Sequence, residues 1–363
     1  QGNSLQAALD EWRGRSDGNC LGDYSFHMAV TDYNENSKKE IQGLIEKEGI
    51  TSFKTFMAYK GALMIDDRQM VGLMQEVKKH GGLINVHATN GDMIDYLVAK
   101  HRAEGKLSPL YHYLSQPEVT EAEASGRFAD LANYTGCPGY IVHLTCEGAL
   151  NAVRNATRRN QKVFVETCIQ YLIIDASLYE REDGAKWVMS PPLRQKKDQD
   201  TLWAGINQGL VQVVATDHCP FKWEQKLMGK DDFSKIPNGH PAIENRMELL
   251  FSEGVNKGRI TLNKYVEVAC TNPAKIFGMF PRKGTIAVGS DADIVIFDPT
   301  EKHTLSAKTH HMNVDYSGYE GWEVTGKVKT VLLRGKVVIE NNQCLVDKGY
   351  GKFIKRSKVS QVI

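Results

Sequence analysis

Six short apolar runs, at residues 24–30, 52–57, 83–87, 140–144, 163–167 and 211–216, alternate along this chain with helical patterns. The helical patterns cover residues 39–48, 67–80, 118–134, 147–160 and 199–208. In them apolar side chains recur every three or four positions, as Met70, Leu73, Met74 and Val77 do. Strand–helix alternation over this length leaves two solutions, an open parallel sheet or one closed into a barrel, with helices outside. What the runs carry decides between them. Lys54 stands inside one, His87 and His143 close two others, and Asp217 follows Val213-Val214-Ala215-Thr216. Reactive side chains at the C-terminal ends of parallel strands favour an α/β fold of the TIM-like (β/α)8 barrel type. Six strands are two fewer than that barrel needs. Residue 1 is Gln, and Asn3-Ser4 before Leu5 reads as a capped helix start, so the first strands are expected ahead of Gln1.

The texture changes after Pro281. Residues 283–298 read as two short strands joined by Gly289-Ser290-Asp291, and residues 328–340 as two more around Arg334-Gly335-Lys336, close to a hairpin signal. The expected organisation is a barrel over 1–282, a small β-sandwich portion over 283–347, and a basic, partly extended tail over 348–363. Charge and cysteine usage narrow the partners. A formal net charge of +1 gives no general attraction for nucleic acid or an anionic membrane. No apolar run approaches the roughly 20 residues that span a bilayer, and no signal-peptide pattern is visible. Seven cysteines, at 20, 137, 146, 168, 219, 270 and 344, show no CxxC pairing, which points to reduced thiols and a cytoplasmic location.

Lys54 is the sharpest anomaly. An ammonium inside an apolar strand must be neutral, paired or chemically altered. Period-two alternation puts Ser52, Lys54 and Phe56 on one strand face. Facing a barrel lumen, a neutral amine can take up carbon dioxide as a carbamate, an oxygen ligand able to bridge two metals; the other reading is an ion-paired barrel lysine. Lys60 follows the strand beside Gly61 and reads as solvated. His87 or His143 alone would be a satisfied core histidine. Together with Lys54 and Asp217 they read as ligands, and imidazole plus carboxylate suits zinc ahead of manganese or iron. Asp217 ends an apolar strand and calls for a cation; it can also move a proton between water and a leaving nitrogen. A helix N-cap is the competing role for it, which Pro220 weakens. His218 stays ambiguous, and Cys146 and Cys219 read as free buried thiols. Two turns, Met189-Ser190-Pro191-Pro192-Leu193-Arg194 and Lys235-Ile236-Pro237-Asn238-Gly239, are either plain turns or substrate contacts. The glycines from 284 to 289 lack the spacing of a phosphate loop.

These residues carry a resemblance. Ser52-Phe53-Lys54-Thr55-Phe56-Met57-Ala58-Tyr59-Lys60, Val86-His87-Ala88-Thr89-Asn90-Gly91-Asp92, Ile141-Val142-His143, Ser190-Pro191-Pro192-Leu193-Arg194, Thr216-Asp217-His218-Cys219, Lys235-Ile236-Pro237-Asn238-Gly239 and Asn272-Pro273-Ala274-Lys275-Ile276-Phe277-Gly278 are similar to cyclic amidohydrolases of the dihydropyrimidinase and D-hydantoinase type, nearly along the whole chain. The resemblance implies a TIM-like barrel with a β-sandwich and two zinc ions per subunit. On the matching positions Lys54 would be the carbamylated bridging lysine (N6-carboxylysine), His87 and His143 ligands of one zinc, and Asp217 a ligand and the general base. Tyr59 would hydrogen-bond the developing oxyanion, Ser190 and Asn238 would hold the cyclic amide through backbone groups, and Phe56 and Leu63 would lie near the ring substituent. The implied reaction is hydrolytic opening of a dihydropyrimidine or 5-substituted hydantoin to an N-carbamoyl amino acid, in a homotetramer. The family's His-x-His pair has no counterpart in these 363 residues, and Thr89 stands where the family usually has Glu. Neighbouring readings are an allantoinase or dihydroorotase-like enzyme and a non-catalytic dihydropyrimidinase-like structural protein.

Overall fold

The computed structural model describes residues 4–158 and 162–359. Six strands, β1 (Met28–Ala29), β2 (Ser52–Phe56), β3 (Leu83–His87), β4 (Gly139–Ile141), β5 (Val163–Cys168) and β6 (Val213–Ala215), form one parallel sheet in chain order. Helices Glu35–Glu46, Asp67–His80, Glu118–Thr135, Glu147–Arg158 and Lys196–Asn207 carry the chain from strand to strand. The helix expected over 147–160 reaches Arg158, and its last two residues lie outside the described ones. The helix expected over 67–80 has those bounds because both ends are capped by sequence. Asp66 accepts from the Gln69 amide, and Gly81 takes the left-handed conformation (φ 82°) that ends the helix.

The sheet is curled into the wall of a TIM-like barrel. Neighbouring strands lie ~4.8 Å apart, so β2 and β6 would be separated by about 19 Å in a flat sheet. Instead Lys54 of β2 and Asp217 after β6 line one cavity of 510 Å³. Alternation along the strands sorts the two faces. Lys54, Phe56, Asn85, His87, Tyr140, Val142, Glu166 and Ala215 face that cavity. The intervening Phe53, Ile84, Val86, Ile141, Val165 and Val214 are buried in the main hydrophobic core. Each such side chain contributes about 2 kcal/mol by leaving water. The core between sheet and helices therefore holds the strands, and the inner face is left for chemistry.

Three strands are clearly shorter than the apolar runs, β1, β4 and β6, the last covering Val213–Ala215 of the run 211–216. Tyr24 pairs not with β2 but with the end of the chain, through Tyr24 N–H to Lys352 O (3.0 Å) and Ile354 N–H to Tyr24 O (2.7 Å). β4 stops at Ile141 because His143 takes φ +43°, which ends strand geometry. Helical turns also form at Arg246–Leu250, Leu262–Val266 and Asn272–Ile276, where the periodicity assigns none.

A second sheet is antiparallel, in the order β10-β9-β8-β7, from β7 (Ile294–Thr304), β8 (Glu323–Leu333), β9 (Lys336–Glu340) and β10 (Gln343–Cys344). Arg334 (φ 50°) and Gly335 (φ 80°) make the expected hairpin turn, in which both central residues need positive φ. Gly326 lets β8 pass close to the core: a Cβ there would lie 2.5 Å from Phe251 Cδ1. Residues 283–293 form no strand. Lys283 instead gathers Asp23, Asp291 and Asp293 around its ammonium, and the loop follows it. The segment read as an extended tail docks on the barrel, burying Ile354 and Arg356, with Arg356 N–H on Gly49 O at 3.0 Å. Among the described residues no helix is long and apolar enough to cross a membrane.

Candidate active site

The strand ends that frame the cavity carry strained backbone. Tyr59 (φ 65°), His143 (φ 43°) and Asp217 (φ 47°) are non-glycine residues in the left-handed region. Such conformations cost ~1–2 kcal/mol each and persist only where their surroundings over-determine them. The other three described cases, Arg334, Asn341 and Asn342, lie in hairpin turns. The strain is thus gathered at three cavity residues on three different connections.

Lys54 points into the cavity with its Nζ buried and without a hydrogen-bond partner among the described residues. Its Nζ lies 4.7 Å from the centroid of the Phe56 ring. Burial pushes its pKa down to about 7, against the opposing pull of Asp217 and Glu166. The strand thus holds an amine that is partly neutral at physiological pH.

His87 and His143 meet across the β3–β4 edge, Nδ1 of the first 2.9 Å from Nε2 of the second. Both are buried, and desolvation holds both well below the usual histidine range, so both rings are neutral donors or acceptors. Thr89 completes the pair, its Oγ1 2.9 Å from His87 Nε2. Asp217 is open to the cleft, yet the walls displace enough water to raise its carboxyl above the ordinary range, with Lys54 pulling it back. No helix starts at Asp217, which removes the N-cap role. Neighbouring His218 serves the loop that follows, where its Nδ1 accepts the Ala242 and Ile243 amides at 3.2 and 3.3 Å. Lys60 is exposed and ion-paired with Asp92.

Tyr59, Ser190 and Asn238 line the same cavity. The Tyr59 ring lies 5.1 Å from that of His87, and burial pushes its phenol up to about 12. Ser190 Oγ is 3.5 Å from Asn238 Oδ1, which joins the two turns across the cleft. The loop after Ser190 is pinned by Tyr171 Oη on Pro191 O (2.7 Å), by Leu193 N–H on Tyr179 Oη (2.9 Å) and by Arg194. The Arg194 guanidinium is buried against Glu121 at 3.0 Å and donates to Thr145 Oγ1 at 2.9 Å. Phe56 lines the cavity, whereas Leu63 is exposed and lies outside its lining.

One carboxylate in the cavity escaped the sequence reading. Glu166 on β5 accepts from Tyr140 Oη at 2.7 Å and from the His143 amide at 3.3 Å. Burial raises its carboxyl to about 7. The signal was present: Val163-Phe164-Val165-Glu166 sets a charge in an apolar strand, as Lys54 does. A separate acidic group, Asp23, Asp291 and Asp293, brings three carboxylate oxygens within 4.8 Å of one another. Lys283 and Arg334 already neutralise it, so it works as an ion-pair clasp between barrel and second sheet.

The model of the amidohydrolase family matches residues 18–338. The chain belongs to the amidohydrolase family. It is 45% identical over 361 residues to the D-hydantoinase of Geobacillus stearothermophilus, covering 99% of this chain and 77% of that protein. It is 41% identical over 354 residues to a D-phenylhydantoinase of Escherichia coli, covering 97% and 76%. The crystal structure of dihydropyrimidinase from Brevibacillus agri superposes with a TM-score of 0.98 at 47% identity, over 99% of this chain and 79% of that one. L-hydantoinase from Arthrobacter aurescens superposes at 0.91 with 31% identity, over 98% and 78%. This amidohydrolase thus shares its barrel and second sheet with enzymes named for cyclic amides.

Proposed function

We propose that this amidohydrolase opens cyclic amides, dihydropyrimidine or 5-substituted hydantoin rings, by hydrolysis to N-carbamoyl amino acids. The observation that carries the reading is the buried, unpartnered Lys54 amine in one cavity with two neutral imidazoles and a carboxylate. Hydantoinases and a dihydropyrimidinase are its relatives over nearly the full chain.

The donor set fits zinc. Two neutral imidazoles and the Asp217 carboxylate are its ordinary ligands. An orphaned amine held near neutrality can take carbon dioxide: nitrogen bonds to carbon, one proton leaves to solvent, and the lysine becomes an anionic carbamate with two ligand oxygens. Lys54, His87, His143 and Asp217 would hold the metal. When bound, zinc supplies Lewis acidity, lowering the pKa of water and polarising the carbonyl under attack. Two zinc ions per subunit, a homotetramer and a cytoplasmic location accompany this reading through the family resemblance.

The protein's own groups do the rest. Asp217 takes the proton of the attacking water and returns it to the departing ring nitrogen; its raised carboxyl pKa brings it closer to the pH at which both transfers run. Tyr59 stays protonated at neutral pH and donates to the oxygen that gains charge in the tetrahedral state. Backbone groups of Ser190 and Asn238 hold the cyclic amide. Phe56 and the Ser190 turn crowd water from the ring.

Zinc-loaded protein prepared with bicarbonate is incubated with dihydrouracil and with 5-substituted hydantoins, and the N-carbamoyl product is measured. Ring opening is expected, with loss in Asp217→Asn of about a hundredfold or more in kcat. Intact rings with the loaded wild-type protein would sink the proposal.

A further inference from the structure

Lys226 is among the largest fully buried side chains of the fold. It closes the short helix Trp223–Lys226, outside the apolar strands, and has no carboxylate partner among the described residues. Its ammonium donates to three carbonyls and to no acid: Val188 O at 2.8 Å, Pro237 O at 2.7 Å and Gly239 O at 2.7 Å. Three acceptors require three N–H groups, so this geometry calls for the protonated amine. Burial pulls the other way, lowering its pKa to about 7. A charge kept at that cost calls for a compensating role.

The three carbonyls belong to the two turns that carry Ser190 and Asn238. Pro237 and Gly239 flank Asn238, and Val188 lies two residues before Ser190. Gly239 N–H also donates to Val188 O at 3.0 Å, which fastens the turns to each other beside the lysine. Pro237 and Gly239 thereby direct their carbonyls to Lys226. The peptide N–H and C=O of Asn238 make no hydrogen bond among the described residues, and neither do those of Ser190. Both residues line the cavity. The helix that presents Lys226 is itself anchored, by Trp223 N–H on Asp315 Oδ1 at 2.8 Å.

We propose that Lys226 is a positioning residue for the hydrolytic site: it ties the 188–190 and 237–239 turns together so that the unpaired peptide groups of Ser190 and Asn238 are set to grip the cyclic amide. This rests on the reading of those two peptides as the ring's holders. Lys226 touches neither the ring nor the reacting atoms, so its loss acts on ground-state binding ahead of the chemical step.

The test uses zinc-loaded wild-type protein, Lys226→Met and Lys226→Gln, each checked for zinc content and for a cooperative thermal melt. Lys226→Met is expected to raise KM for dihydrouracil about tenfold or more while kcat changes less than threefold. Lys226→Gln, which keeps a donor but reaches fewer carbonyls, is expected to fall between. A folded Lys226→Met with KM within twofold of wild type would overturn the proposal, as would a fall in kcat at constant KM. Failure of both variants to fold would assign the lysine to the scaffold and overturn it too. An inactive zinc-loaded wild-type protein would instead strike at the hydrolase reading, so the two failures are distinguishable.

Discussion

Removing the Lys54 amine should stabilise the metal-free protein, in a way that depends on pH. Met has nearly the volume of the lysine stem and no charge, so Lys54→Met isolates the cost of the buried ammonium. Each tenfold change in an acid constant is worth ~1.4 kcal/mol. Moving the amine from 10.5 in the open chain to about 7 in the fold therefore corresponds to ~5 kcal/mol. Structural relaxation and water entry bring the expected value to about 3 kcal/mol. The sign follows from proton binding. Between pH 7 and 10.5 the unfolded chain holds this proton and the fold does not, so wild-type stability rises with pH across that window. Below pH 7 the fold carries the charge and the full cost is present; above 10.5 neither state is protonated and the cost is gone. Urea midpoints of wild type and Lys54→Met, in chelator and CO2-free buffer from about pH 6 to about pH 10.5, give the difference directly. Lys54→Met should be the more stable at the acid end, with the gap closing towards the alkaline end. A gap that does not change with pH would refute the claim that this amine is buried and unpaired. Bicarbonate with zinc should raise the wild-type midpoint and leave that of Lys54→Met where it was.

The other predictions concern the surrounding shell. His143→Asn should lower zinc bound per chain, measured by elemental analysis, because it removes one of two neutral imidazoles 2.9 Å apart; unchanged stoichiometry would exclude His143 as a ligand. Tyr59→Phe should lower kcat by about a hundredfold with little change in KM, since the hydroxyl is asked to act on charge that appears only in the tetrahedral state. Arg194→Met should cost about 3–5 kcal/mol in urea unfolding, because it strands the Glu121 carboxylate in a buried site. A loss under about 1 kcal/mol would show that water reaches that pair.

Lys54, His87, His143 and Asp217 were legible in the sequence because each breaks an apolar run, and breaking that rule is costly unless the group has work to do. The cavity brings all four together. Glu166 breaks the same rule and could have been found by it. The same periodicity located the six strands and the helix Asp67–His80, whose caps are local. It overextended β1, β4 and β6; for the first two, pairing of Tyr24 with the 352–354 segment and the positive φ of His143 are set by distant contacts.

What the chain alone determined is the set of costly residues and the alternating order of strands and helices, since desolvation and periodicity act on neighbours in sequence. Tertiary structure decided which of these residues meet. The curl of the sheet sets Lys54 in one cavity with Asp217, from the far side of three intervening strands. It also decided the surroundings of Lys226, which the sequence analysis did not single out and which follows Trp223-Glu224-Gln225. Its burial under three carbonyls comes from the packing of turns that no local pattern joins. A charge surrounded by polar neighbours in sequence gives no sign of the dry site it will occupy, because that dryness is made by residues elsewhere in the chain.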